Sequence, residues 1–296
     1  MVPAFRAHFW KCPIKLEKMK KLLIIIGLTV VGNFSYAGGW LKGKDKGFVK
    51  LNQSVMNGNQ FYNSEGKVVN IITTGVYQTS LYAEYGISKK FDLIGYVPFV
   101  SRLTLNSVQF TSGLMQEGDE FTSIGDTDLG LKYGIRQGKS LVISVSLILG
   151  LPIGSTSGGN TELLQTGDGE FNQLVQFDFG YSFKKSFYTN VGIGFNNRTN
   201  GFSEEFRSSF EIGYEYKKKV IIALKASSVE SFENGNAENT GNGIFANNLE
   251  FFSYGAEASY RITNKLGVSA SYFTAGSGQN VLAVSAYNFG IFWELK

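Results

Sequence analysis

The chain has 296 residues, a formal net charge of +4, and one cysteine and one histidine. Cys12 and His8 both lie in the first 37 positions, with six of the 28 basic residues and one of the 24 acids. The remaining chain carries 22 basic and 23 acidic residues, a net of −1. Its charge is therefore no argument for nucleic-acid binding, and it offers no disulfide, thiolate or imidazole.

Residues 1–18 precede Met19, which is the economical start of synthesis. From Met19 the chain reads as a secretory signal peptide. Lys20 and Lys21 precede an apolar run from Leu22 to Val31, and Ser35-Tyr36-Ala37 has the small-x-small form of a cleavage site. The run is shorter than the about 20 residues that a spanning helix needs. Residues 1–37 are therefore expected to be removed, leaving one domain over 38–296; an uncleaved anchor is the alternative.

Beyond residue 38 no stretch keeps a helical stripe for three turns, and two-residue alternation recurs instead. It predicts twelve strands near 47–61, 69–87, 90–105, 120–135, 139–154, 170–183, 186–200, 203–216, 219–232, 246–262, 265–276 and 280–295. Short polar turns fall at Ser88-Lys89-Lys90, Arg136-Gln137-Gly138-Lys139, Lys184-Lys185, Lys217-Lys218-Lys219 and Thr263-Asn264-Lys265. The alternate links are mostly longer, at 62–68, 106–119, 155–169 and 233–245, with short ones at Gly201 and Gly278. Short turns alternating with long loops are the rhythm of an outer-membrane β-barrel, with turns on the periplasmic side and loops outside.

The two faces of the strands agree. Val175, Phe177, Phe179, Tyr181 and Phe183 alternate with Gln176, Asp178, Gly180 and Ser182. Phe206, Phe210, Ile212, Tyr214 and Tyr216 alternate with Arg207, Glu211, Gly213 and Glu215. Tyr85, Tyr133, Tyr181, Tyr214, Tyr216 and Tyr260 gather just before short turns, where an aromatic girdle belongs. A soluble sheet would hide the apolar face. In lipid, Arg or Lys at the midplane costs about 2–4 kcal/mol, so the charges must face inward. The expected fold is an all-β transmembrane antiparallel barrel of about 12 strands, closed because lipid leaves no edge unsatisfied. Candidate lumen residues are Asp126, Asp128, Lys132, Asp178, Arg207, Glu211, Lys225 and Glu257. A secreted soluble β-sandwich is the alternative.

YAEYGISKKFDLIGYVPFV (82–100), SIGDTDLGLKYGI (123–135) and LVISVSLILGLPIGS (141–155) resemble the outer-membrane family labelled as meta-pathway phenol degradation, a group of transporter-like barrels. The resemblance implies uptake or sensing of hydrophobic compounds, and its motifs are structural rather than catalytic. It assigns no functional residue.

Catalysis has little support. Asp126 and Asp128 share a face about 7 Å apart, a spacing that two-carboxylate chemistry could use, but the stronger reading is that acids paired with Lys132, Arg207 and Lys225 fill a polar lumen. The acidic loop stretches GDE (118–120) and GDGE (167–170) lack EF-hand spacing, and GSTSGGN (154–160) lacks the Lys-Ser/Thr of a phosphate loop. NGNAENTGNG (234–243) reads as a polar loop. No cofactor or metal is expected. Expected partners are outer-membrane lipid and lipopolysaccharide, the barrel-assembly machinery and a small-molecule solute. The function expected is passive uptake of small molecules, including hydrophobic ones; a non-transporting structural or surface-binding barrel is the alternative.

Overall fold

The computed structural model describes residues 38–109, 115–183, 186–236 and 245–296. The expected leader over residues 1–37, the Lys184-Lys185 turn and parts of the 106–119 and 233–245 loops lie outside them.

The strands are β1 (Gly47–Tyr62), β2 (Val68–Gly86), β3 (Phe91–Leu105), β4 (Val108–Gln109), β5 (Met115–Gln116), β6 (Asp119–Ser123), β7 (Thr127–Gln137) and β8 (Leu141–Leu151). They continue as β9 (Asn172–Phe183), β10 (Phe187–Arg198), β11 (Glu205–Tyr216), β12 (Val220–Ser231), β13 (Glu250–Arg261), β14 (Leu266–Gln279), β15 (Val281–Leu282) and β16 (Ala286–Leu295). All pairings are antiparallel, and β1 pairs both β2 and β16, which closes the sheet. The result is a twelve-stave barrel. β6 and β7 share one stave and β15 and β16 another; β4 and β5 form a small separate hairpin.

The sequence pattern showed the fourth stave as one unbroken strand. The break has a local cause in Pro98, which has no N–H for the ladder. β7 pairs with β3 up to Tyr96 and β6 resumes from Ser101. Between them the Gly125 amide donates to the Pro98 carbonyl at 2.8 Å.

Turn chemistry fixes the short-link end. At 87–91 and 262–266 a Ser or Thr hydroxyl accepts two following amides: Ser88 Oγ from Lys90 and Phe91, Thr263 Oγ1 from Lys265 and Leu266. Lys217 and Lys218 both take left-handed backbone (φ 49 and 57), the requirement of a primed hairpin turn. The start of β1 and the end of β16 meet at this same end, with Gly47 opposite Leu295.

The inside-out character is plain in the exposures. Lys132 and Asp92 are 0% exposed and Glu84 and Asp178 1%, whereas Leu224 and Phe289 are each 59% exposed on the outer wall. An apolar surface this continuous is untenable in water and natural against acyl chains. The girdle is a contiguous stack near the turn end: Tyr181 on Phe183, Phe183 on Phe187 and Phe187 on Tyr214, with centroids 6.3, 5.9 and 4.7 Å apart.

Candidate functional site

The lumen is the only internal surface that the described staves enclose, and its lining is organised in three ion-paired groups. The first lies toward the turn end on β2, β3, β7 and β9. Glu84 accepts from the Lys132 ammonium at 3.1 Å and from the Tyr82 hydroxyl, and its other oxygen pairs with Lys42 at 3.1 Å. Asp92 and Asp178 are buried beside this pair. Asp178 accepts from Gln176 at 3.0 Å and from Asn190 at 3.3 Å.

The second group is on the facing wall. Lys225 on β12 is 2.6 Å from Glu257 on β13 and 3.5 Å from Glu211 on β11. Glu257 also takes Lys50 of β1 at 2.9 Å. Lys50 reaches it across Gly290, where a Cβ would stand 2.5 Å from the lysine Cε. The Tyr188 hydroxyl donates to Glu211 at 2.6 Å.

The third group lies toward the loop end and centres on Arg198. Its guanidinium contacts Glu170 at 2.5 Å, Glu205 at 2.8 Å and Asp168 at 3.3 Å, and sits 4.5 Å over the Phe202 ring. Arg207 pairs with Glu205 at 2.7 Å. One guanidinium facing three carboxylates leaves an acid excess. Burial, together with the Asp168 charge, pushes the Glu170 carboxyl up to about 7 despite Arg198.

Two chain segments fold into this lined bore. Residues 38–46 run along the inner wall at the turn end. Gly39 N donates to Asn190 Oδ1 at 3.0 Å, Gln137 brackets the segment through Gly39 O (2.8 Å) and Leu41 N (3.1 Å), and Lys42 N donates to Asp92 at 2.6 Å. Trp40 packs edge-on to Tyr188 and lies against Gly180, where a Cβ would stand 2.6 Å from its ring. The sequence pattern places Gln137 in a turn. A bulge between Gly134 and Arg136 shifts the register so that Gln137 pairs with inward Val142.

The other segment is the 152–171 loop. Asp119 accepts from the amides of Asn160 and Thr161 at 3.0 and 2.9 Å, and Asp126 from those of Gly154 and Asp168 at 2.8 and 3.0 Å. Arg198 holds its far end. Between these anchors Leu164, 3% exposed, is seated on the inward-facing Val76, Leu103 and Leu282, with Phe121 and Met56 beside them.

The structure thus places Lys132, Asp178, Glu211, Lys225 and Glu257 on the inner wall within ion-paired or hydrogen-bonded groups, and Asp128 on the same face of β7 as Lys132. Arg207 belongs to the loop-end group. Asp126 sits apart from them: it lies in the break of its stave and holds the loop. The acidic stretches 118–120 and 167–170 supply anchors, through Asp119, Asp168 and Glu170. Sequence reasoning missed Glu84 and Asp92, although Tyr82 and Glu84 show the alternation that would have found the first. It also missed Lys42, which lies in the segment ahead of β1, and Arg198, the last residue of β10, because neither position carries a periodic signal.

A closed antiparallel barrel with an apolar exterior, an aromatic girdle and a charged bore defines a transmembrane barrel of the outer-membrane type. The family model described as "Putative MetA-pathway of phenol degradation" matches residues 53–289, and the chain belongs to that family. No curated protein matches it by sequence. Among solved structures it is similar to the COG4313 outer membrane channel from Pseudomonas putida F1, at 10% identity and a TM-score of 0.62, covering 89% of this chain and 99% of that one. Looser likenesses include the KdgM porin (8% identity, TM-score 0.47, 83% and 98% covered) and the NanC porin (8%, 0.48, 84% and 99%).

Proposed function

We propose that this protein is an outer-membrane channel for passive uptake of small molecules, hydrophobic ones among them. Its leader is removed after Ala37, its turn end faces the periplasm and its loop end faces outside. The observation that carries the reading is what fills the bore. Eight-stranded barrels are filled by their own wall side chains, and a larger bore leaves space. Here the filling at each end comes from chain segments, 38–46 and 152–171, rather than from the wall alone. A filler attached at its ends can move without unfolding the barrel.

The seat of Leu164 supports the hydrophobic preference. Val76, Leu103, Leu282 and Phe121 form an apolar patch on the inner wall, and a leucine side chain covers it. A small apolar solute has the same surface chemistry, so it competes for the patch when the loop swings aside. The polar anchors of both segments favour a second reading, a non-transporting barrel that stays plugged and acts through its surface.

Planar-bilayer recording and liposome flux decide between them. Channel function predicts discrete conductance steps and faster permeation of a small aromatic alcohol than of a sugar of equal size. Silent bilayers from fully folded protein, with no flux of either solute, would overturn it in favour of the plugged barrel.

A further inference from the structure

The pocket under residues 38–46 has an unbalanced charge. Three carboxylates are buried there, Glu84, Asp92 and Asp178, at 1%, 0% and 1% exposure. Two ammonium groups answer them, Lys42 and Lys132, and both are centred on Glu84 at 3.1 Å. Asp178 has only neutral donors, Gln176 and Asn190, within hydrogen-bond distance, and Asp92 Oδ1 is buried without a hydrogen-bond partner among the described residues. A buried carboxylate without a cation is costly.

The chain places one more nitrogen here. Gly39 N donates to Asn190 Oδ1, and the same Asn190 donates to Asp178. One residue earlier is Gly38. Its backbone is left-handed at φ +45, and a Cβ on it would stand 2.7 Å from Asn190 Oδ1, so no side chain fits at this position. The Gly38 carbonyl is held by Lys132 at 3.2 Å. In an uncut chain Gly38 N is a neutral amide. Hydrolysis of the Ala37–Gly38 bond consumes one water, leaves a carboxylate on Ala37 and frees an α-amine on Gly38, which takes up a proton.

We propose that this new α-ammonium is the third cation of the pocket, pairing with Asp178 through the Asn190 corner, so that leader removal itself locks residues 38–46 against the lumen wall. The proposal rests on cleavage after Ala37. Processing then does two things with one bond: it releases the leader and supplies the charge that seats the segment. Uncut precursor lacks that charge and keeps the segment loose.

The test uses the full barrel purified from outer membranes. Mass spectrometry of its N-terminus comes first. A terminus other than Gly38 overturns the cleavage reading and the proposal with it, and leaves the channel reading standing. With Gly38 confirmed, the folded protein is titrated with an amine-reactive acylating reagent at pH 8, and labelling at Gly38 is compared with that in the urea-unfolded chain. Pairing raises the α-amine above its ordinary value near 7.7–8.0 and predicts labelling at least tenfold slower when folded. Asp178→Asn should bring the folded rate most of the way back. A chain with one alanine inserted before Gly38 is the second variant. It moves the ammonium by about 3.8 Å and should label at the unfolded rate even if Asp178→Asn fails to fold. Slow labelling that is indifferent to the inserted alanine would show simple occlusion and overturn the proposal; fast labelling of the native folded protein would do the same.

Discussion

Leu147 sits at the middle of the outer face of β8, 47% exposed, with Leu131 and Val175 as its cross-strand neighbours. An arginine there stands where hydrocarbon is thickest, at a cost of about 2–4 kcal/mol. Phe179, on the outer face of β9 and 39% exposed, is the internal control. It lies four residues from Val175 toward the turn end and pairs with Ile143, whose other partner is the exposed Arg136. At about 3.3 Å per residue and a tilt near 40°, it is roughly 10 Å closer to the interface. The apolar band of such barrels is about 25 Å tall, so Phe179 is near its edge, where arginine costs about 0–1 kcal/mol. Leu147→Arg should therefore lower the folding equilibrium constant about 10²-fold more than Phe179→Arg. Both variants lose an apolar side chain from the lipid face, so the comparison isolates depth. Urea titration of folding into liposomes, read by gel mobility, measures it. Equal penalties at the two positions would refute the assignment of this wall to lipid.

The fully buried pair predicts a second stability result: Glu84→Gln should cost about 3–5 kcal/mol in the same titration, because it removes the carboxylate that Lys42 and Lys132 share. Leu164→Ala should weaken docking of the 152–171 loop by about 2–5 kcal/mol and raise mean single-channel conductance; unchanged conductance would separate the loop from gating. The Glu170 carboxyl gives a pH dependence. Its value in the docked loop is about 7, above the 4.5 of a free glutamate, so the docked form binds the proton more tightly. The contribution of Glu170 to docking is then greatest below about pH 4.5 and is lost as pH rises through 7, so conductance should increase from pH 5 to 8, and Glu170→Gln should lessen that rise.

The barrel was legible because lipid imposes the same rule at every strand. Period-two alternation, an even strand count and tyrosines before short turns each follow from the bilayer and need no knowledge of partners. The inner wall was legible only where pairing is local. Glu211 and Lys225 stand directly opposite on adjacent strands, so the order of an up-and-down barrel brings them together once the turn at 217–219 is read. Lys50 and Glu257 are 207 residues apart, and they meet only because the sheet closes and Gly290 leaves room. The breaks tell the same story: a proline at 98 warns of a weak ladder, yet nothing local says that Asp126 will hold a loop there.

The hardest part to foresee was the filling of the bore. Small inward residues such as Gly180 look, in sequence, like the empty half of an alternating strand. In the structure Gly180 is the surface on which Trp40 lies, and Gln137 reaches the same segment only through a one-residue bulge. A glycine on the inner face therefore carries two meanings that sequence cannot separate, open lumen or landing surface. The distinction is functional, because a barrel whose glycines are covered by its own tethered segments conducts only as those segments yield. On the proposed channel reading, control of passage lies in the polar contacts that hold residues 38–46 and 152–171, rather than in the staves themselves.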